Sequence, residues 1–298
     1  MREFLRRVYL ANGYKQLSWH VARFDYARWH CCLNCAGVGL DEVARIWEEG
    51  GNIVSFFMPD GGRGEAHFMI DPQAPSSGLE EEMLQEAEAH LPETGERGEK
   101  RLTVWAHDTD AGRISLLQRR GYIRQEWGEW QWRTSLDRAL PEVRCETGYV
   151  IRSLGEGLEL LERCWASGLV FHDGDITVAA DNREDPGWYR NIQRAPLYRR
   201  DLDLVAEAPD GSIAGFCTAW FDDVHQSAYI EPVGTVPRHQ KKGLAAALMA
   251  EALRRLKHMG AVHACVGGYT PAANKLYQSM MGETYDLYRP WVRSWQHA

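Results

Sequence analysis

The stretch Tyr229 to Ala247, YIEPVGTVPRHQKKGLAAA, constrains the fold more than any other part of the chain. Tyr229 to Val236 is apolar and β-branched enough for a buried strand. Pro237 ends that strand, because it has no N–H to give to a sheet ladder. Gln240, Lys241, Lys242, Gly243, Leu244 and Ala245 then lead into a long Ala/Leu-rich helix. A strand, a tight turn and a helix in that order call for helices packed on a sheet, an α/β (α+β) architecture. The helix N-terminus leaves N–H groups unpaired and carries partial positive charge, so this turn is suited to an anion such as a pyrophosphate. Gly243 and Ala245 keep side chains small where a phosphate would meet the backbone. Arg238, Lys241 and Lys242 add positive charge.

The same order of elements occurs twice. In the first half, FDYARWHCCLNC and DEVARIWEE have helical spacing, NIVSFFMPDG and GEAHFMIDP read as strands, and LEEEMLQEAEAHL is an amphipathic helix. RLTVWAHDTD, AGRISLLQRRGY and EWGEWQWRTSL continue as a strand, a helix and a final strand or strand pair. In the second half GYVIRSL is a strand, GLELLERCWASGL a helix, and Trp188 to Leu197 contains another. DLVAEAPDGSIAGFCTAWF is a hairpin turning at Pro209-Asp210-Gly211. The strand to Val236, the helix Leu244 to Met259, the strand AVHACVGGYT, the helix PAANKLYQSMMG and the strand ETYDLYRPWVRSW complete it. Superposed, Pro72 falls on Pro237, Gly78 on Gly243 and Gly121 on Gly282, and the polar insert ETGERGEK absorbs the small difference in spacing. Periodicity is lost in RALPEVRCET, so the expected domains are 1–140 and 147–298.

Composition narrows the function classes. A chain of 298 residues has room for one large domain or two of about 150. The net charge of −8 argues against a general nucleic-acid binder, which needs a basic face. No apolar run is long enough to span a membrane, and MREFLRRVYLANG has no signal-peptide core, so the cytoplasm is the expected location. Seven cysteines, an odd number without framework spacing, suggest reduced thiols. His30-Cys31-Cys32-x-x-Cys35 has no second Cys/His pair at a zinc spacing, and no metal is expected.

Gln-x-x-Gly-x-Ala after a Val-Pro strand end resembles the acetyl-CoA loop of the GNAT N-acetyltransferase superfamily, and Asn274-x-x-Tyr277 before Gly282 resembles its later motif. The resemblance covers nearly all of the second half and the first half only as a worn copy. It implies two tandem GNAT-like domains, each a mixed, mostly antiparallel twisted sheet flanked by helices. The layout is similar to that of mycothiol synthase and of tandem GNAT proteins in bacteria. It further implies acetyl-CoA as cofactor, held by Thr235, Val236, Gln240, Lys241, Lys242, Gly243, Leu244, Ala245 and Asn274, with backbone N–H groups around Val236 facing the thioester carbonyl. The strands before and after the loop are expected to splay, with Val266 to Tyr269 as the second lip. Glu231 is the implied general base and Tyr277 the implied acid toward the departing thiolate. A carboxylate within the apolar run Tyr229 to Val233 is costly unless it faces a polar cleft, which can also tune its pKa. A structural Glu bonded to backbone amides is the competing reading, and His172 and His225 are alternative bases.

In the first half Pro75, Ser76 and Ser77 stand for Gln240, Lys241 and Lys242, and Glu80 for Ala245. Arg113 and Leu116 stand for Asn274 and Tyr277. Each exchange weakens anion binding or removes a proton donor, so the first half is not expected to bind acetyl-CoA. For the acceptor, Asp173 and Asp175 with Trp188 and Tyr189 combine acid and aromatic wall, which suits a cationic small-molecule amine. His239 is expected to face solvent or the nucleotide. A protein or peptide amine, or a CoA-binding sensory module with little turnover, are the alternatives. The chain is expected to be a monomer or homodimer.

Overall fold

A computed structural model of the chain describes residues 1–74 and 78–296. Pro75, Ser76 and Ser77, and with them that part of the comparison between the halves, lie outside the described residues. The first half runs α1 (Arg2–Ala11), α2 (Val21–Tyr26), a π-helix (Ala27–Ala36), α3 (Leu40–Val43), β1 (Arg45–Glu49), β2 (Asn52–Met58), β3 (Glu65–Ile70), α4 (Leu79–His90), β4 (Glu93–Thr94), β5 (Glu99–His107), α5 (Ala111–Arg119), β6 (Ile123–Arg124) and β7 (Glu129–Ser135). The second half runs β8 (Val150–Ser153), α6 (Glu159–Phe171), α7 (Ile176–Glu184), α8 (Gly187–Gln193), β9 (Asp203–Glu207), β10 (Ile213–Asp222), β11 (Ser227–Thr235), α9 (Leu244–His258), β12 (His263–Gly268), α10 (Pro271–Met281) and β13 (Tyr285–Gln296). The stretch DEVARIWEE differs in kind from its expectation. It is helical only to Val43, and Arg45–Glu49 is a strand paired antiparallel with β2 through Arg45↔Phe57 and Ile46↔Phe56. Sheet pairing overrides the helical spacing there.

Two compact units result, and their limits are not those of the repeat. Unit 1 is Met1–Gln131 with Tyr285–Ala298, and unit 2 is Trp132–Thr284. The boundary expected between 140 and 147 is therefore corrected: β13 belongs to unit 1, and β7 from Trp132 onward belongs to unit 2. The physical reason is sheet completion. β13 pairs antiparallel with β5 from Tyr288↔His107 to Gln296↔Glu99, and Trp291 is buried in the core of unit 1 with Phe57, Phe68, Leu84 and Val104.

Within unit 1 the strand order is β1-β2-β3-β5-β13, with β4 on β5 and β6 on β13. All of these pairs are antiparallel except β3 with β5, which is parallel and lasts only for Glu65↔Thr103 and Ala66↔Val104. Within unit 2 the order is β12-β11-β10-β9-β8, with β7 beside β12. There β11 and β12 form the parallel pair, at Ser227↔His263, Ala228↔Ala264 and Tyr229↔Cys265. Beyond those residues each parallel pair parts, so each unit has a gap between two strands, in the same place in its topology. Among the described residues no helix is long and apolar enough to cross a membrane.

Candidate active site

The site in unit 2 begins where β11 and β12 separate, after Tyr229 and Cys265. On its other edge β11 stays paired with β10, but the register shifts between Cys217↔Val233 and Ala219↔Ile230. The extra residue falls at Glu231-Pro232, and such a bulge re-aims the side chains around it. The indole N–H of Trp220 donates to the Glu231 carbonyl at 2.6 Å and fixes the bulge in place. Glu231 is half-buried there.

Across the gap, α10 brings Tyr277 into the same neighbourhood. Its phenol is buried. Burial, then the charges of Cys217 and Glu231, push its pKa well up. The phenol therefore keeps its proton throughout the physiological range. Gly268, the last residue of β12, makes this approach possible: a Cβ there would lie 2.4 Å from Asn274 Oδ1 and 2.9 Å from Tyr277 Cδ2. Asn274 Oδ1 accepts a hydrogen bond from the Trp132 indole at 2.9 Å, so its carbonyl end is held by the protein and its amide nitrogen is the end left for a ligand.

The anion loop follows β11. Pro237–His239 forms one 3-10 turn, Lys241 takes φ +63° and Gly243 takes φ +76° as the N-cap of α9. No side chain caps α9, unlike α7 and α10, which are capped by Asp175 and Thr270. The first amides of α9 thus point outward with their dipole unmatched. Gly243 is needed twice over. Its φ favours glycine, and a Cβ would lie 3.2 Å from the Arg144 carbonyl. The fit to an acyl-CoA has a further sign: Thr235 Oγ1 is buried with no hydrogen-bond partner among the described residues.

Several expectations need correction here. The Val236 N–H is engaged by the Ala214 carbonyl of the hairpin partner at 2.9 Å. Antiparallel strands alternate the direction of their amides, so the N–H groups of Val233 and Thr235 face the gap instead. Lys242 is half engaged: its Nζ meets Glu146 at 3.0 Å and lies 5.2 Å from the Tyr149 ring centroid. Gln240 and Lys241 are exposed beside it, Leu244 is buried, and Ala245 is half-exposed. His239 does not face solvent. It is 8% exposed, with Nδ1 2.9 Å from the Tyr149 hydroxyl and Nε2 accepting from Arg238 Nε at 2.9 Å. Burial and the Arg238 charge hold its pKa below the ordinary value.

The four acceptor-pocket residues are not brought together as a wall. Tyr189 is 1% exposed, and its hydroxyl donates to the buried Asp203 at 2.7 Å. Asp175 caps α7 by accepting from the N–H groups of Thr177 and Val178. Trp188 is half-buried, stacked edge-on against Tyr189. Asp173 is exposed, at φ +50°. Its neighbour Gly174 is close enough to the loop that a Cβ would lie 3.6 Å from Pro237 Cγ. Of the alternative bases, His172 is exposed, and His225 sits in the turn that starts β11, at the end away from the loop.

Trp132, Trp220, Glu146 and Tyr149 are the site residues that sequence reasoning missed. The partners of Trp132, Glu146 and Tyr149 lie far away along the chain, that of Trp220 lies across the β10–β11 pairing, and no local spacing announces them.

The equivalent place in unit 1 is built alike and filled differently. Gly78 caps α4 at φ +90°, again without a side-chain cap. Glu80, in the first turn, accepts from Arg113 Nε at 2.9 Å and Nη2 at 2.7 Å. Leu116, at the position of Tyr277, is part of the core.

Comparison with known proteins agrees with this geometry. Residues 172–282 match the Acetyltransferase (GNAT) family. The fold is similar to that of a GCN5-related N-acetyltransferase from Sphaerobacter thermophilus, at 17% identity and TM-score 0.60, covering 91% of each chain. It is also similar to a tandem GNAT protein from the clavulanic acid biosynthesis pathway, at 13% identity and TM-score 0.65, covering 98% of this chain and 93% of that one. A GCN5-related N-acetyltransferase from Kribbella flavida aligns at 14% identity and TM-score 0.53, over 91% and 94% of the two chains. Among curated proteins none matches.

Proposed function

We propose that the chain is a GNAT acetyltransferase, a reading supported by the match of residues 172–282 to that family, and that unit 2 transfers an acetyl group from acetyl-CoA to the amine of a small molecule by direct attack. The observation that carries this reading is the parting of β11 and β12 beside the uncapped, glycine-led start of α9, with Glu231 on one strand and the Tyr277 ring packed on Gly268 at the end of the other. The acyl-CoA supplies an activated acyl group as a thioester. The loop from Gln240 to Ala245, with the uncapped start of α9, holds its phosphates, and the Asn274 amide supports its arm.

Chemistry then divides between two edges of the gap. An amine is protonated at neutral pH and must lose a proton before it can attack. The Glu231 carboxylate takes that proton, directly or through water. The nitrogen attacks the acyl carbon, and the N–H groups of Val233 and Thr235 face the charge that gathers on the acyl oxygen. When the carbon–sulfur bond breaks, Tyr277 gives its proton to the sulfur, and the second proton released by the acylated nitrogen restores the phenol. Burial keeps the phenol protonated until the bond breaks.

The test has two stages. Calorimetry with acetyl-CoA should give binding at micromolar concentrations, and no heat at tens of micromolar, a range of about −6 to −8 kcal/mol, would end the reading. A thiol-release screen over an amine panel then separates an enzyme from a sensor. In that assay Glu231→Gln should lower kcat by roughly 100-fold or more and flatten its rise with pH. An unchanged profile would remove Glu231 as the base.

A further inference from the structure

Unit 1 has a cavity of its own. Where β3 and β5 part, beyond Ala66 and Val104, a space of about 360 Å³ opens beside the starts of α4 and α5. Leu17, Ile70 and Leu79 give it apolar walls, and Glu80, Asp110 and His107 stand on its polar side. Both hydrogen bonds from Arg113 fall on Glu80 Oε1, which leaves Oε2 as an acceptor among the described residues. His107 accepts at Nδ1 from the Thr109 N–H at 3.1 Å, so its neutral ring carries the proton on Nε2. That Nε2–H has no hydrogen-bond acceptor among the described residues; Asp286 Oδ1 is 3.7 Å away. His107 is 8% exposed, and a buried donor without a partner is costly. The charges on the wall are three carboxylates, Asp71, Glu80 and Asp110, against the single guanidinium of Arg113.

We propose that unit 1 binds an uncharged, amide-bearing small molecule in this cavity. The ligand's N–H donates to Glu80, its carbonyl oxygen accepts from His107 Nε2–H, and its apolar body rests on Leu17, Ile70 and Leu79. Phosphorylated ligands are rejected, because the place an anion would take beside Arg113 already holds Glu80. A pocket of this size, apolar with a few converging polar groups, is the ordinary form of a small-molecule site. The proposal is independent of the reaction in unit 2.

Pantetheine, an uncharged diamide, and its 4′-phosphate make a matched pair of probes. The readout is the NMR signal of the His107 ring and of the Arg113 Nε–H in the full chain, both of which report on unit 1 alone. Pantetheine should shift both signals to saturation, and the 4′-phosphate should leave them in place. His107→Asn keeps an acceptor for the Thr109 N–H and removes the Nε2 donor; it should weaken pantetheine binding about tenfold, a loss of about 1.4 kcal/mol. Leu17→Trp fills the cavity from its rim and should abolish the shift of the His107 signal. The proposal is overturned if these signals do not move up to about 10 mM pantetheine, a Kd weaker than about −3 kcal/mol. It is equally overturned if the phosphate moves them as well, or if both variants titrate like the parent chain.

Discussion

The two gaps between parted strands share a backbone and differ in who supplies the negative charge. In unit 2 the glycine-capped start of α9 is open, with Gln240 and Lys241 exposed beside it. In unit 1 the glycine-capped start of α4 carries Glu80, and a buried arginine from α5 holds that carboxylate in place. An internal anion answers the helix dipole and Arg113 where an external phosphate would otherwise do so. The difference teaches that a cleft of this kind is lost as a phosphate site by acquiring a carboxylate, while the strand and helix geometry around it survives. Across the gap the same holds for chemistry, since a phenol at Tyr277 stands where unit 1 has the core residue Leu116.

The contrast can be broken most sharply at the two capping glycines. Gly243→Glu adds a negative charge and a Cβ at φ +76° against the Arg144 carbonyl. It should raise the calorimetric Kd for acetyl-CoA by about 1000-fold or more, a loss of about 4 kcal/mol. Gly78→Glu is strained in the same way but meets nothing within 4 Å, and it should leave that Kd within about twofold. The reverse result would exchange the roles of the units.

Tyr277→Phe comes next. It should slow steady-state turnover by roughly 10- to 100-fold while acetyl-CoA affinity stays within about twofold, because the role proposed for the hydroxyl begins only as the sulfur departs. Full activity would reject Tyr277 as the acid. In unit 1, Glu80→Gln strips the buried Arg113 of its hydrogen-bonded carboxylate and leaves it only Asp110, at 3.5 Å. Urea unfolding should show a loss of about 1–3 kcal/mol with turnover unchanged. A drop in turnover of the same order as that for Tyr277→Phe would show that unit 1 takes part in the chemistry.

The smallest effect concerns pH. Burial pushes the Asp25 carboxyl up to about 6 despite Arg2 at 3.0 Å. Its folded form holds a proton more readily than its unfolded form, so its stabilising contribution is present below about 4 and lost as pH rises through about 6. His239 in unit 2 is shifted the other way. Its folded form resists protonation, and stability falls as pH drops below the unfolded value of about 6.5. Asp25→Asn should therefore raise Tm more at pH 7 than at pH 4.5, and His239→Asn should blunt the acid loss. Equal shifts at both pH values would reject these assignments.

Much of this was legible from local pattern. Pro237, Gly243 and the apolar run before them fix a strand, a turn and a helix by short-range rules, and the copy around Pro72 and Gly78 repeats them. What escaped was decided at long range. Arg45–Glu49 has helical spacing, yet β2 takes it as a strand partner. Val236 is well placed in sequence for an oxyanion donor, but strand alternation turns its N–H toward Ala214. Tyr189 and Asp175 read as pocket wall because acid and aromatic residues cluster there; one is a core tyrosine bound to Asp203, the other a helix cap. Glu146 and Trp132 carry no signal at all until the chain folds back on itself.

The placing of β13 has a consequence for how the molecule comes into being. Within this chain β13 is translated after the whole of unit 2, yet it completes the sheet of unit 1 beside β5. At about 5–20 residues per second, the edge of β5 stays open for many seconds while unit 2 emerges. An open strand edge is an invitation to other chains. A premature stop just before Tyr285 would therefore spare Glu231 and Tyr277 and leave unit 1 unfinished.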